Sequence, residues 1–510
     1  MNDSRPMWLR KDRVLLAASF LYLAVANLIW ISRDTRPPFW DMAYHSSAAL
    51  RIYNAMEVSG VRAIRVIPYL TGFYPPLFQS VVAVFWLIFG KTVAVSRLAN
   101  FPAMAILLLA TYGIGKRLFS PVSAAAAAIL VTCYPLLLWI SRETIIDYWL
   151  TSMVALAMWG LLRTEEFSDR WRSILFGVIC GLGVLTKWTF PFFLVLPSAW
   201  LARRNWKNAL LAASIAGCVG AYWYVPSGAS LVRFLAQNTA GGVSEGDPER
   251  LSWQAIVFYV RALEGYQLFL PLFIAFLLGA FLLSRRYSPA WAPVVLWIVG
   301  GWLGLMLLRN KDPRYTAPFL PAIALITAMI VEQWRRVVPI LIAFLAFQHY
   351  LVSFGTRRLP QAIVLEQGTV GPDSYDWNLY TQTYSGLWGR PAHEDWKIDH
   401  VLDLVTPVGG RRVQLGLVPD IPRFDSQAFE FYIALRNLPV TVNPVRTSDE
   451  SAILKNDFIL VSENDQGFAK VYAPDLERVN EYILSQPRRF HFVEWFPLPG
   501  GQVIRLYGVK

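Results

Sequence analysis

The stretch "YPPLFQSVVAVFWLIFG", residues 74–90, decides the topology of this chain. It is apolar enough to enter a bilayer, is opened by Pro75-Pro76 and closed by Gly90, and is the shortest of the early apolar runs. A helix that crosses a bilayer needs about 20 apolar residues. Whether this run crosses sets the side of the membrane on which every later charge falls.

The chain around it is that of an integral membrane protein. Of its 510 residues 55% are hydrophobic and 16% charged, with 21 Trp, more apolar surface than one water-soluble core hides. Twelve apolar runs follow one another between residues 14 and 354. The net charge of +12 sits in short Lys/Arg clusters between those runs, the pattern that orients membrane proteins, so nucleic acid is not an expected partner. Cys133, Cys180 and Cys218 lie inside apolar runs, which argues against a disulfide framework. The first run is too long for a signal-peptide core and is read as a retained span.

Charge parity then settles the role of 74–90. With Arg5, Arg10, Lys11 and Arg13 inside, twelve crossings would put Lys116-Arg117, Arg163, Arg203-Arg204, Arg285-Arg286 and Arg335-Arg336 mostly outside, against the positive-inside rule. Removing the crossing at 74–90 returns all of them to the cytoplasmic side. The expected fold is a polytopic α-helical membrane domain of about 11 spans, residues 1–355, with the N-terminus inside. Its exterior loops are 33–97, holding two surface helices, 140–147, 227–265 and 309–314. The third, with Gly241-Gly242, is read as a mobile lid or an ordinary solvated linker, the lid favoured because it borders the same exterior face.

From residue 356 to 510 the composition turns mixed and charged. "RRVQLGLVPD" and "NDFILVSEN" alternate as strands do, "SQAFEFYIALRN" and "DLERVNEYILSQ" have helical periodicity, and "FHFVEWFPL" with "GQVIRLYGV" forms a closing antiparallel pair. The expectation is an exterior α/β domain, serving as a cap or docking module.

Four groups of charges fall on the exterior face. Asp41 follows the first span and shares a helix face with His45, four residues on; the bland alternative is a helix N-cap. Arg142, Glu143 and Asp147 are wedged into the short second loop, where a local ion pair is the bland reading. Lys187 interrupts "GLGVLTKWTFP"; a lysine at the bilayer centre costs roughly 2.5–3.5 kcal/mol, unless it snorkels to the surface. The loop "RNKDPRYTAPFLP" places Lys311, Arg314 and Tyr315 at the start of a span, with an arginine fork suited to phosphate at a helix N-terminus.

Two acids and several cations on one outer face make a balanced polar site. A transferase there has no nucleotide sugars to draw on, so its donor would be a sugar carried on a lipid phosphate. Such transfer needs a base for the acceptor hydroxyl and cations for the leaving phosphate. Asp41 suits the first role, Lys187 and Arg314 the second.

The order "WDMAYH", "YPPL", "SRETIID", "GLGVLTK", "DPRYTAPFLP" resembles the polytopic C-type glycosyltransferases, specifically the dolichyl-phosphate-mannose protein mannosyltransferase superfamily with its bacterial relatives, the lipid A aminoarabinose transferases. The resemblance covers residues 14 to 354. It implies an inverting, polyprenyl-phosphate-dependent transferase in the bacterial cytoplasmic (inner) membrane, with a lipid, glycan or protein acceptor. Asp41 would be the catalytic aspartate of the first loop, Asp147 the carboxylate of the second, and Lys187, Arg314, Tyr315 and Arg142 would hold the donor phosphate. His45, Tyr74, Glu143 and Lys311 are expected to contact donor or acceptor. Met42 stands where many relatives carry Glu, and Tyr74 where the aminoarabinose transferases have the Lys of "KPPL". The five His residues are scattered without metal-ligand spacing; no cofactor is expected, and metal dependence is a matter for assay. The competing reading is a lipid-glycan flippase or transporter, which would be expected to show internal repeats and midplane charges; the chain has no such repeat.

Overall fold

The computed structural model describes residues 11–355, 362–370, 373–381, 389–407, 409–463, 466–469 and 473–510. Arg5, Arg10 and residues 356–361, where the domain boundary is expected, lie outside the described residues. Among the described residues every apolar run is helical. Six helices have the length and composition to cross a bilayer: Asp12–Arg33, Val93–Leu118, Trp206–Ser244, Trp253–Arg285, Pro289–Met306 and Arg335–Phe354. Shorter apolar helices lie at Leu77–Phe89, Pro121–Thr132, Pro191–Leu201 and Ala317–Gln333. The protein is a multi-pass helical membrane protein with a C-terminal sheet domain.

Local chemistry explains where these helices begin. Proline at the first or second helical position opens Phe101–Leu118, Pro121–Thr132, Pro135–Ile140, Pro191–Leu201 and Ala292–Met306, where its missing N–H costs nothing and its φ is already helical. The run at 74–90 forms a helix over Leu77–Phe89, 13 residues. At 1.5 Å per residue that is about 20 Å, short of the roughly 30 Å apolar layer.

One segment departs from expectation. The exterior loop expected from residue 227 is helical through Ser244, within a 39-residue helix that begins at Trp206 and carries Pro226 internally. Packing overrides the breakers: the Ser227 hydroxyl donates to Pro68 O at 2.7 Å, and the Phe234 ring stacks on Phe73 at 4.1 Å, with 2° between planes. The same helix packs on Arg170–Val184 through small residues. A Cβ on Gly177 would lie 2.6 Å from Ala212 O, and one on Gly181 2.5 Å from Val219 Cβ. Backbones this close supply the dispersion contacts that hold helices together where no hydrophobic drive separates them from lipid.

The chain falls into two compact units. One takes residues up to Ile31, Ile64–Val81 and Arg97–Pro391; the other takes Ser32–Ala63, Val82–Ser96 and Ala392–Lys510. In the first, β1 (Ala362–Val370) and β2 (Asp373–Thr381) pair as an antiparallel hairpin.

The second unit holds a five-stranded sheet of β3 (Val413–Leu417), β4 (Val440–Pro444), β5 (Phe458–Ser462), β6 (Phe490–Pro497) and β7 (Val503–Val509), in the order β4-β3-β5-β7-β6. Strand β3 runs parallel to β4 and β5, while β7 is antiparallel to both β5 and β6. Parallel neighbours need a crossover; helix Ser426–Arg436 supplies it between β3 and β4. Each face of the sheet is covered. Leu415, Leu417, Leu460 and Leu506 pack with Phe429 and Val401 on one side, and Ile459, Val461 and Tyr507 with Ile453 and Ile483 on the other. The strands read from "RRVQLGLVPD" and "NDFILVSEN", the helices at 426–436 and 477–485 and the closing antiparallel pair are all present. The β1–β2 hairpin, helix Ile398–Val405 and strand β4 are additions.

Candidate active site

In the first unit the loops after several helices gather charged side chains. Asp147 is the second residue of helix Ile146–Arg163, where the helix dipole favours a carboxylate. Lys187 lies in the turn between Arg170–Val184 and Pro191–Leu201. Its Nζ donates to Asp147 Oδ1 at 2.7 Å, with Lys187 5% and Asp147 2% exposed. The Tyr315 ring covers the ammonium, 4.8 Å from Nζ to the centroid. Acid, cation and aromatic face, distant in sequence, thus form one cluster.

Tyr315 is fixed in turn by its own loop. Its hydroxyl donates to Asn310 Oδ1 at 2.8 Å, and Gln267 Nε2 donates to Thr316 Oγ1 and Pro313 O, both at 2.5 Å. Arg314 forms a forked pair with Asp312, Nε to Oδ1 at 2.9 Å and Nη2 to Oδ2 at 2.5 Å, with both side chains partly exposed. Lys311 turns inward: Nζ donates to the carbonyls of Leu305, at 3.2 Å, and Leu308, and the Tyr259 ring lies 5.9 Å away. Burial pushes its ammonium down to about 8, against the pull of Asp247. Asp247 accepts from the Lys311 backbone N–H at 2.8 Å, and burial raises its carboxyl. The end of the long helix is tied to this loop as well, since a Cβ on Gly242 would come within 2.7 Å of Asn310 Cα.

Arg142 and Glu143, also expected at the site, sit in a buried network with Asn27, His349 and Arg97. Arg142 Nε donates to Asn27 Oδ1 at 2.8 Å, and its Nη2 lies 3.0 Å from His349 Nε2. Glu143 pairs with Arg97 at 3.4 Å, and both guanidinium groups flank the Trp30 ring at 5.5 and 5.8 Å. Arg97 and Trp30 were not legible as partners, because nothing in their sequence spacing joins residue 30 to 97 and 142. Tyr74 is buried, with its ring 4.8 Å from Phe73 and 5.8 Å from Phe234.

In the second unit Asp41 and His45 lie one turn apart on helix Trp40–Ser59. Phe39, not Asp41, occupies the N-cap position, so the helix-cap alternative for Asp41 does not hold. Asp41 is half-buried and His45 fully buried. Trp40 beside it has φ +44°, and its neighbours come from the C-terminal domain: Asp420, Asp425 and Phe468. The sequence signal for one of them was present, since Asp425 stands immediately before a helical run, where N-caps are found.

This helical membrane unit and sheet domain have the fold of the polytopic C-type glycosyltransferases, and the resemblance read from the loop motifs is supported by sequence. The family described as dolichyl-phosphate-mannose-protein mannosyltransferase matches residues 74–223. The undecaprenyl phosphate-alpha-4-amino-4-deoxy-L-arabinose arabinosyl transferase of Pseudomonas aeruginosa UCBPP-PA14 is 28% identical over 294 residues, 51% of each chain. The chain thus spans about half the length of the curated relatives it matches. Among solved structures, ArnT from Cupriavidus metallidurans superposes with a TM-score of 0.59 at 12% identity, over 96% of this chain and 97% of that one. An archaeal oligosaccharyltransferase, AglB from Archaeoglobus fulgidus, does so at 0.54 and 12%, over 98% and 74%.

Proposed function

We propose that the protein is an inverting glycosyltransferase of the bacterial cytoplasmic membrane. It moves a sugar from a polyprenyl-phosphate donor to a lipid, glycan or protein acceptor on the outer face. In the proposed topology the helical domain, residues 1–355, crosses about 11 times, the N-terminus is cytoplasmic, and residues 356–510 are exterior. Related proteins give the donor class: one ArnT structure holds undecaprenyl phosphate and an AglB structure holds a dolichol-phosphate.

The observation that carries the reading is the buried Lys187–Asp147 pair under Tyr315. An ammonium has three protons, and Asp147 takes one of them and aims the group while leaving donors for an incoming phosphate. In the proposed reaction the acceptor oxygen attacks the anomeric carbon from the face opposite the phosphate. The C–O bond to the phosphate breaks, and its electron pair leaves on the polyprenyl phosphate, held by Lys187 with Arg314, Tyr315 and Arg142. Asp41, assigned on the resemblance, takes the acceptor proton. Glu143, Lys311, His45 and Tyr74 are proposed to contact the donor or the acceptor. The reaction calls for no cofactor, and chelation in the assay tests for a divalent metal.

Purified protein in detergent, offered undecaprenyl-phosphate sugars that include 4-amino-4-deoxy-L-arabinose, is expected to release undecaprenyl phosphate in step with glycosylated acceptor. Movement of intact lipid-linked glycan across liposomes without that release would replace this reading with the flippase.

A further inference from the structure

The segment "RDTRPPFWD", residues 33–41, is laid along the C-terminal domain by a series of specific bonds. Asp34 Oδ1 accepts from Ala392 N at 3.0 Å, and Thr35 N donates to Ala392 O at 3.1 Å. Arg423 Nη1 donates to Pro37 O at 2.7 Å, and its guanidinium lies 4.8 Å from the Phe39 ring. The series ends on Trp40. Its indole N–H donates to Asp420 Oδ1 at 2.9 Å, its backbone N–H to Asp425 Oδ1 at 3.3 Å, and its ring meets Phe468 edge-on at 4.9 Å.

These contacts surround a backbone that would not hold itself. At φ +44° Trp40 occupies the left-handed region, where a bulky side chain is an outlier; such residues persist only when their surroundings over-determine them. The two acids are themselves fixed. Asp420 Oδ2 accepts from Arg446 at 3.1 Å, and Asp425 caps its own helix through Gln427 N and Ala428 N at 3.0 and 3.2 Å. The backbone of Trp40 sets the direction in which the next residue, Asp41, leaves the chain.

We infer that the C-terminal domain is a positioning element: Asp420, Asp425 and Phe468 hold Trp40 in its left-handed conformation, and so aim the Asp41 carboxyl at the acceptor hydroxyl. The inference rests on Asp41 as the base of the proposed transfer. It gives the sheet domain a part in the reaction, where docking or capping alone would leave the Trp40 contacts without purpose.

The test uses the full chain in detergent with the same undecaprenyl-phosphate sugars. Trp40→Phe removes the indole N–H, and Asp420→Ala removes its acceptor. Each is expected to lower kcat by about 10- to 100-fold, the scale on which a small misplacement of a reacting group acts, with donor KM and undecaprenyl phosphate binding within about twofold of the parent. Because both remove the same Trp40–Asp420 bond, and Asp420→Ala also frees Arg446, the double variant should be no slower than Asp420→Ala alone. Asp420→Asn, which keeps an acceptor oxygen, should recover most of the rate; a merely structural role would not separate kcat from KM in this way. Wild-type kcat in both single variants, with Asp41→Asn inactive, overturns the positioning role and leaves the base standing. Full activity in Asp41→Asn overturns the base, and the positioning role with it. If Asp420→Ala does not fold, Trp40→Phe decides alone.

Discussion

Replacing Lys187 with methionine separates the two things the lysine does. The side chains are similar in length, so packing is kept while the ammonium is lost, and Asp147 is left buried without the partner it now holds at 2.7 Å. Breaking a buried pair from one side costs about 3–5 kcal/mol. Unfolding entropy is about 2 cal/mol/K per residue, so for a chain of 510 residues it is about 1 kcal/mol/K, and the apparent Tm should fall by about 3–5 °C. Removing both charges as Lys187→Met with Asp147→Leu should bring Tm back to within about 2 °C of the parent, because an apolar pair of similar volume often matches a buried ion pair. Activity should not return with it. A cation that meets charge developing on a leaving group is worth about 100- to 1,000-fold in kcat, and the double variant has none at this position. The assay is release of undecaprenyl phosphate from its sugar conjugate, read beside thermal unfolding of the same preparation. A double variant as stable and as active as the parent would refute the assignment of Lys187 to the donor phosphate.

Three further outcomes follow from other parts of the chain. Burial, and after it the neighbouring Asp420, raises the Asp425 carboxyl to about 8. The folded protein therefore binds a proton more tightly than the unfolded chain, and stability present below about pH 4 is lost as pH rises through about 8; Asp425→Asn, which still caps its helix, should flatten that slope in Tm measured from pH 5 to 9. Arg142→Gln divides the donor role proposed for Arg142 from its network with Asn27 and His349: lost thermal stability with unchanged donor KM assigns it to the network, and a raised KM at unchanged Tm to the donor. Gly242→Val should push the helix end off Asn310, which a Cβ would meet at 2.7 Å, and expose residues 245–251 to protease in limited digestion, with a severalfold drop in turnover.

What was legible in the sequence follows from which forces are local. Apolar runs and basic clusters report on a bilayer through composition, so the helical membrane domain could be read without tertiary knowledge. The strands at 413–417 and 458–462 were legible because alternation is local too. The pairing of Lys187 with Asp147 could only be suggested, since a cost of burial says that a partner exists and not which one. Residues 227–265 read as a loop, yet the helix continues through Ser244 because Ser227 and Phe234 find partners near residues 68 and 73, a stabilisation that local propensity does not contain. The bonds to Trp40 were beyond reach for the same reason: Asp420 lies 380 residues away.

The irregular backbone around Lys187 adds one more step to the case for a site there. Helix Arg170–Val184 has 15 residues, about 22 Å at 1.5 Å each, less than the roughly 30 Å apolar layer. In the proposed topology, with Arg170 and Arg172 at the cytoplasmic interface, the turn Leu185–Phe190 lies toward the outer face, where two short apolar helices meet. Open backbone and an ammonium are both costly wherever they enter the apolar layer, and both are tolerated where protein buries them or where they line a polar cavity. A continuous helix with leucine at 187 would cost less and span better. The chain instead stops the helix, turns, restarts it at Pro191 and supplies a carboxylate from a separate helix to meet the lysine. That construction fits the proposed task of the ammonium, since holding the phosphate of a lipid-borne donor needs a fixed cation.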